Sequence, residues 1–105
     1  MQFGLKDIDL EMLVIVFREN PKIEKAVLFG SRAKGTYENG SDVDIALIGD
    51  NLKLDDVIKL SLSIDKLDLP YKFDLIIYQR IKELKLKEHI DRVGKEIYIS
   101  GKNIV

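Results

Sequence analysis

Apolar positions at Ile8, Met12, Ile15 and Val16 recur at the three-and-four spacing of a helix face and predict a helix over residues 8–19. Asp7 or Asp9 stands ready to cap it, and Pro21 closes it just after Asn20. The pattern then changes. Lys25–Phe29 reads as a short buried strand and residues 42–48 as a second. Between them, residues 30–40 form a glycine-punctuated turn with room for a short helix from Ser31. Leu54, Val57, Ile58, Ile64 and Leu67 restore the helical period, with Asp55 and Asp56 in the first turn. Beyond Pro70, residues 73–78 read as a third strand and residues 81–93 as a third long helix, which Gly94 ends as a left-handed cap. Residues 96–99 form a last short strand. The order α-β-β-α-β-α-β predicts an α/β or α+β fold, with helices on a small mixed sheet.

Composition narrows the classes. A chain of 105 residues predicts one domain over residues 1–105, and 46 % hydrophobic residues suit an ordinary globular protein. Seventeen basic and eighteen acidic residues nearly cancel, which argues against a general nucleic-acid binder. Without cysteine there is neither a disulfide framework nor a thiolate metal site. The longest apolar run, residues 12–17, falls far short of a membrane span, and early acidic residues are unlike a secretory signal. The expectation is a cytoplasmic protein with no membrane association.

The chemistry concentrates in residues 29–48. Asp42 and Asp44 lie two apart at a strand, so their side chains share a face while Val43 and Ile45 point the other way. Asp74 sits near the start of the third strand, and if that strand lies beside the second it falls ~5 Å from one of the pair. Three carboxylates so close raise one another's pKa, and a cation is what makes them tolerable. Hard oxygen donors without imidazole or thiolate select Mg²⁺, with Mn²⁺ as an alternative. Two ions ~3.5–4 Å apart suit an in-line phosphoryl displacement. Alone, an Asp-x-Asp is as well explained by a turn entering a strand. The neighbouring Gly30-Ser31 shifts that balance. Gly30 permits a sharp turn with close ligand approach, and Ser31 offers a hydroxyl and an amide to a phosphate oxygen. Arg32 and Lys34 add positive charge. The glycine spacing is not that of a Walker loop.

Gly30-Ser31, Asp42-Val43-Asp44 and the later strand Asp74 resemble the signature of the nucleotidyltransferase superfamily related to DNA polymerase beta. The chain is most similar to its minimal nucleotidyltransferases (MNT), a likeness covering residues 27–48, the third strand and, weakly, Gly94-Lys95-Glu96-Ile97-Tyr98. The resemblance implies the polymerase beta palm-like fold and transfer of a nucleoside monophosphate to a hydroxyl with release of pyrophosphate. It implies that Asp42 and Asp44 bind both metal ions, that Asp74 is a further metal-binding and catalytic carboxylate, and that Gly30, Ser31 and, beside them, Arg32 bind the nucleotide. ATP as donor is likewise a family expectation. So is a HEPN-domain toxin encoded nearby, whose tyrosine receives AMP, with the MNT protein as its antitoxin. Larger relatives build an acceptor site from a C-terminal helical domain that this sequence lacks. The second substrate's site is therefore expected from another chain, either the HEPN partner or a second copy.

Two other readings compete. A non-catalytic nucleotide-binding module would neutralise its partner by covering it, and a small-molecule nucleotidyltransferase would modify a free hydroxyl. Outside the motif, His89, the single histidine, lies in a charged helix beside Glu88 and Asp91 and reads as a surface residue. Tyr71, Tyr78 and Tyr98 read as core or edge aromatics, and Tyr37 on the glycine-flanked loop as the better candidate for substrate contact. Lys82, Lys85 and Lys87 read as a solvated helix face.

Overall fold

The structure, a computed structural model, describes residues 1–101. The single-domain expectation extends over residues 102–105, which lie outside the described part.

Four strands form one mixed sheet in the order β3-β2-β1-β4. They are β1 (Lys25–Phe29), β2 (Val43–Ile48), β3 (Phe73–Ile77) and β4 (Lys95–Ile99). β1 pairs antiparallel with β2 and β4, and β2 pairs parallel with β3. The parallel pair needs a crossover, and α3 (Leu54–Asp65) supplies it. The other helices are α1 (Asp7–Arg18), the single turn α2 (Ser31–Lys34) and α4 (Leu84–Val93).

Strand alternation sorts β2 between two layers. Val43, Ile45 and Leu47 are fully buried in the larger core with Leu13 and Phe17 of α1 and Leu60 and Ile64 of α3. Ala46 belongs to a smaller cluster with Val27, Phe29 and Ile90 of α4. The sheet therefore carries α1 and α3 on one face and α4 on the other. Asp44, in register with Ala46 along β2, lies on the α4 face.

Three local expectations are corrected. Neither Asp7 nor Asp9 caps α1. Lys6 holds the cap position without a side-chain bond, and Asp9 is buried, accepting a hydrogen bond from Tyr71 Oη at 2.9 Å. The last long helix begins at Leu84 rather than residue 81, because a 3₁₀ turn, Tyr78–Arg80, and an extended link carry the chain off β3. Gly94 is not left-handed, with φ −58° and ψ 144°. A side chain there would strike the Ile90 carbonyl and Val27, so close packing requires the glycine, not handedness. Among the described residues no helix is long and apolar enough to cross a membrane.

Candidate active site

The connection from β1 to β2 brings the two halves of the motif to one rim. Antiparallel pairing sets Phe29, the last residue of β1, opposite Asp44. Gly30 therefore leaves the sheet right beside the Asp44 carboxylate. Its φ of 77° lies in the region that favours glycine, and a Cβ at this position would collide with Asp44 Oδ2. The backbone angle disfavours any residue with a side chain, and such a side chain would have to displace the Asp44 carboxylate. The chain then makes the α2 turn, whose first residue is Ser31, with Lys34 N–H donating to the Gly30 carbonyl at 3.1 Å. Gly35 ends the turn at φ 84°.

The third carboxylate arrives through parallel pairing. β3 runs beside β2 in a register that sets Asp74 directly across from Asp44. Partners in such a ladder point to the same face about 4.8 Å apart. Asp42 lies just before β2, two residues from Asp44 and on the same side. Asp42 and Asp74 are exposed, while Asp44 is half-buried. Burial pushes the Asp44 carboxyl above the usual carboxylate range, and the charges of Asp74 and Asp42 push it further. The positive field of Arg32 pulls in the opposite direction without cancelling that effect.

The three acids share a rim but do not form a closed cage. Among the described residues, no group of three or more Asp, Glu, His or Cys side chains is gathered as a ready metal site. The donor set nonetheless fits a hard divalent cation. It consists of carboxylate oxygens alone, two on exposed side chains able to turn inward and one held in an environment that disfavours an uncompensated charge.

Arg32, expected with the nucleotide-binding residues, lies elsewhere. Its side chain is buried beneath the loop and donates to backbone carbonyls, with Nε and Nη2 reaching Ser41 O at 3.1 and 2.8 Å and Nη1 reaching Phe3 O at 2.8 Å. The guanidinium also lies over the rings of Tyr37 and Tyr71, 5.2 and 5.5 Å from their centroids. Ser41 immediately precedes Asp42, so Arg32 braces the segment that delivers the carboxylate pair. A buried guanidinium needs acceptors, and the loop carbonyls supply them. Tyr37, the loop candidate for substrate contact, is packed on this brace.

His89, read from sequence as a surface residue, belongs to the site. It is half-buried, its Nε2 accepts the Gly30 amide proton at 3.1 Å, and its ring meets Phe29 edge-on with centroids 6.2 Å apart. A signal was present in the sequence. Leu86, His89, Ile90 and Val93 occupy successive inward positions at helical spacing, and a lone polar residue on that stripe must find a partner inside.

A four-stranded mixed sheet with a Gly-Ser turn against an Asp-x-Asp strand, and a third Asp one strand over, defines a nucleotidyltransferase domain. The chain belongs to the family described as Polymerase beta, Nucleotidyltransferase, whose profile matches residues 11–103. None of the curated proteins matches it. Among solved structures it is similar to a toxin-antitoxin crystallised with AMP-PNP, at 26 % identity and TM-score 0.70, covering 88 % of this chain and 74 % of that one. The toxin-antitoxin MntA-HepT shares the fold at 22 % identity and TM-score 0.66, covering 90 % and 74 %. So does a chain from the structure of the tri-AMPylated Shewanella oneidensis HEPN toxin in complex with MNT antitoxin, at 21 % identity and TM-score 0.67, covering 91 % and 74 %.

Proposed function

We propose that this chain is a divalent-metal-dependent protein adenylyltransferase. It transfers AMP from ATP to a tyrosine hydroxyl of a HEPN toxin and so acts as the antitoxin. The observation that carries the reading is Asp44, set across the sheet from Asp74 and pressed against Gly30, so that the acidic and Gly-Ser halves of the motif share one rim. Membership of the nucleotidyltransferase family supports the reaction class. The relative holding AMP-PNP supports an adenine nucleotide, and the AMPylated HEPN toxin bound to an MNT antitoxin is an instance of the product proposed.

In this reading Gly30 and Ser31 take the triphosphate, and Asp42, Asp44 and Asp74 hold Mg²⁺, two ions in the family pattern, with Mn²⁺ as a substitute. When bound, the metal neutralises phosphate charge and lowers the pKa of the attacking hydroxyl. The hydroxyl oxygen forms a bond to the α-phosphorus, the bond from that phosphorus to the β-phosphate bridging oxygen breaks, and pyrophosphate leaves. The hydroxyl proton passes to Asp74, whose exposed carboxylate can return it to solvent. Little covalent chemistry falls to the protein, whose contribution is positioning and charge compensation.

A protein acceptor is supported by an apolar stripe. Leu54, Ile58 and Leu62 of α3 are 61, 48 and 56 % exposed at four-residue spacing. Leu54 and Val57 also line a groove with Leu75 and Ile77 of β3, the strand that carries Asp74. This stripe equally favours a second reading, in which the chain neutralises its partner by occlusion alone. One experiment separates them. The chain and the adjacent gene's product are mixed with ATP and Mg²⁺ and weighed by mass spectrometry. Additions of about 329 Da on the partner, one per AMP, support transfer. Neutralisation with no addition refutes transfer and leaves occlusion. Equal labelling by wild type and Asp44→Asn refutes the site.

A further inference from the structure

We infer that His89 is a positioning residue for the Gly30-Ser31 turn, holding that turn in place beside Asp44 from the opposite layer of the fold. The inference rests on the nucleotidyltransferase reading for its effect on substrate, but its geometric part stands alone.

The contact is long-range, 59 residues apart in the chain, and it joins α4 to the end of β1. An imidazole nitrogen can accept the Gly30 N–H only if it carries no proton, so His89 is neutral here with its proton on Nδ1. Its neighbours hold the ring in place. Ile90 is buried against Val27 and Phe29. Tyr78 Oη donates to Asp91 Oδ1 at 2.6 Å, tying α4 to the end of β3. Gly94 is packed on Val27. With α4 fixed on both sides of residue 89, the imidazole is a rigid acceptor.

The atom it holds matters. The Gly30 amide belongs to the peptide that joins the last sheet residue to the positive-φ glycine. Fixing that peptide plane fixes where Ser31 stands relative to Asp44, which already fills the space a Gly30 side chain would need. The β1 ladder ends at Phe29, and His89 continues its tethering by one residue. Without it the amide turns to water and the turn loses its only tie to α4 among the described hydrogen bonds.

Gln is the conservative test, because its side-chain carbonyl reaches about as far as Nε2 and accepts the same proton. Leu keeps the apolar contact with Phe29 and removes the acceptor. Gly30 amide exchange, the imidazole ¹⁵N shifts, and KM and kcat for ATP with Mg²⁺ are measured in wild type, His89→Leu and His89→Gln. His89→Leu is expected to speed Gly30 exchange and raise KM for ATP about fivefold, the effect of one lost neutral hydrogen bond, with kcat changed less. His89→Gln is expected to restore both within about twofold. A Leu variant with unchanged Gly30 exchange, or Leu and Gln variants with the same KM, overturns the inference. A wild-type chain that binds no ATP defeats the nucleotidyltransferase reading instead. Gly30 exchange and an unprotonated Nε2 signal then decide whether His89 holds the turn.

Discussion

Asp44 and Asp56 are two carboxylates at the edges of one small fold, and their energetics are opposed. Asp56, in the first turn of α3, is surrounded by partners. Lys22 Nζ lies 2.8 Å from it, the Lys53 backbone amide donates to it at 2.8 Å, and Asn20 Nδ2 donates at 3.1 Å. The Lys22 bond, then the Lys53 amide, lower its pKa to about 2. Asp44 has burial and two like charges for company, and its pKa rises. The fold satisfies Asp56 from within the chain and leaves Asp44 without an equivalent partner, which in the proposed function a bound cation would supply. In that reading one carboxylate stabilises the protein, and the other is kept for its chemistry.

The largest test of this contrast is catalytic. Asp44→Asn is expected to reduce AMP transfer by about 10³-fold or more, the scale of removing a group that stabilises developing charge. Asp56→Asn should leave transfer per folded molecule unchanged. Assays with labelled ATP on both variants check this, and comparable losses would erase the distinction.

Next in size is the contact that crowds Asp44. Gly30→Ala adds a methyl where the carboxylate sits and imposes φ 77° on a residue that resists it. A stability loss of about 1–3 kcal/mol by urea unfolding is expected, with transfer also lost. Gly35 has an even larger φ of 84° but open space at its Cβ position. Gly35→Ala therefore isolates the backbone contribution and should cost about 1 kcal/mol.

Asp56→Ala removes a helix-start acceptor and an ion-pair partner together and should cost about 1 kcal/mol. Its pH signature follows from the lowered pKa. The stabilisation is complete above the ordinary value of 3.8 and disappears as pH falls through about 2. Thermal melts of wild type and Asp56→Ala should therefore converge in strong acid.

The smallest effect has the opposite sign. The raised pKa of Asp44 means that its ionised form is disfavoured in the fold, so metal-free Asp44→Asn should melt slightly above wild type at neutral pH. That advantage fades as pH falls through 3.8, the ordinary value, below which the carboxyl is protonated in both states. Added Mg²⁺ should raise the wild-type midpoint and leave the variant unmoved. A variant less stable than wild type at neutral pH, without metal, would place Asp44 with Asp56 after all.

The strands, the two long helices α1 and α3, and the spacings of Gly30 with Ser31 and of Asp42 with Asp44 were legible in the chain because each is local. Period, turn residues and two-residue spacing act within a few positions. What misled were residues whose partners are distant. Asp9 has the composition of a cap, yet Tyr71 claims it across 62 residues. Arg32 resembles a phosphate ligand beside Ser31, yet the carbonyls of Phe3 and Ser41 surround it. Gly94 has the sequence position of a left-handed cap, yet the requirement is contact with Val27.

By itself the sequence determined the element order and the chemical class, because alternation along β2 puts Asp42 and Asp44 on one face and Val43 and Ile45 on the other. Only the tertiary structure decided that β3 runs parallel to β2 with Asp74 across from Asp44, that Arg32 is a brace, and that His89 faces inward. Those outcomes depend on strand order and on helix placement over the sheet. Both are set by the packing of apolar faces far apart in the chain, which no local window of residues contains.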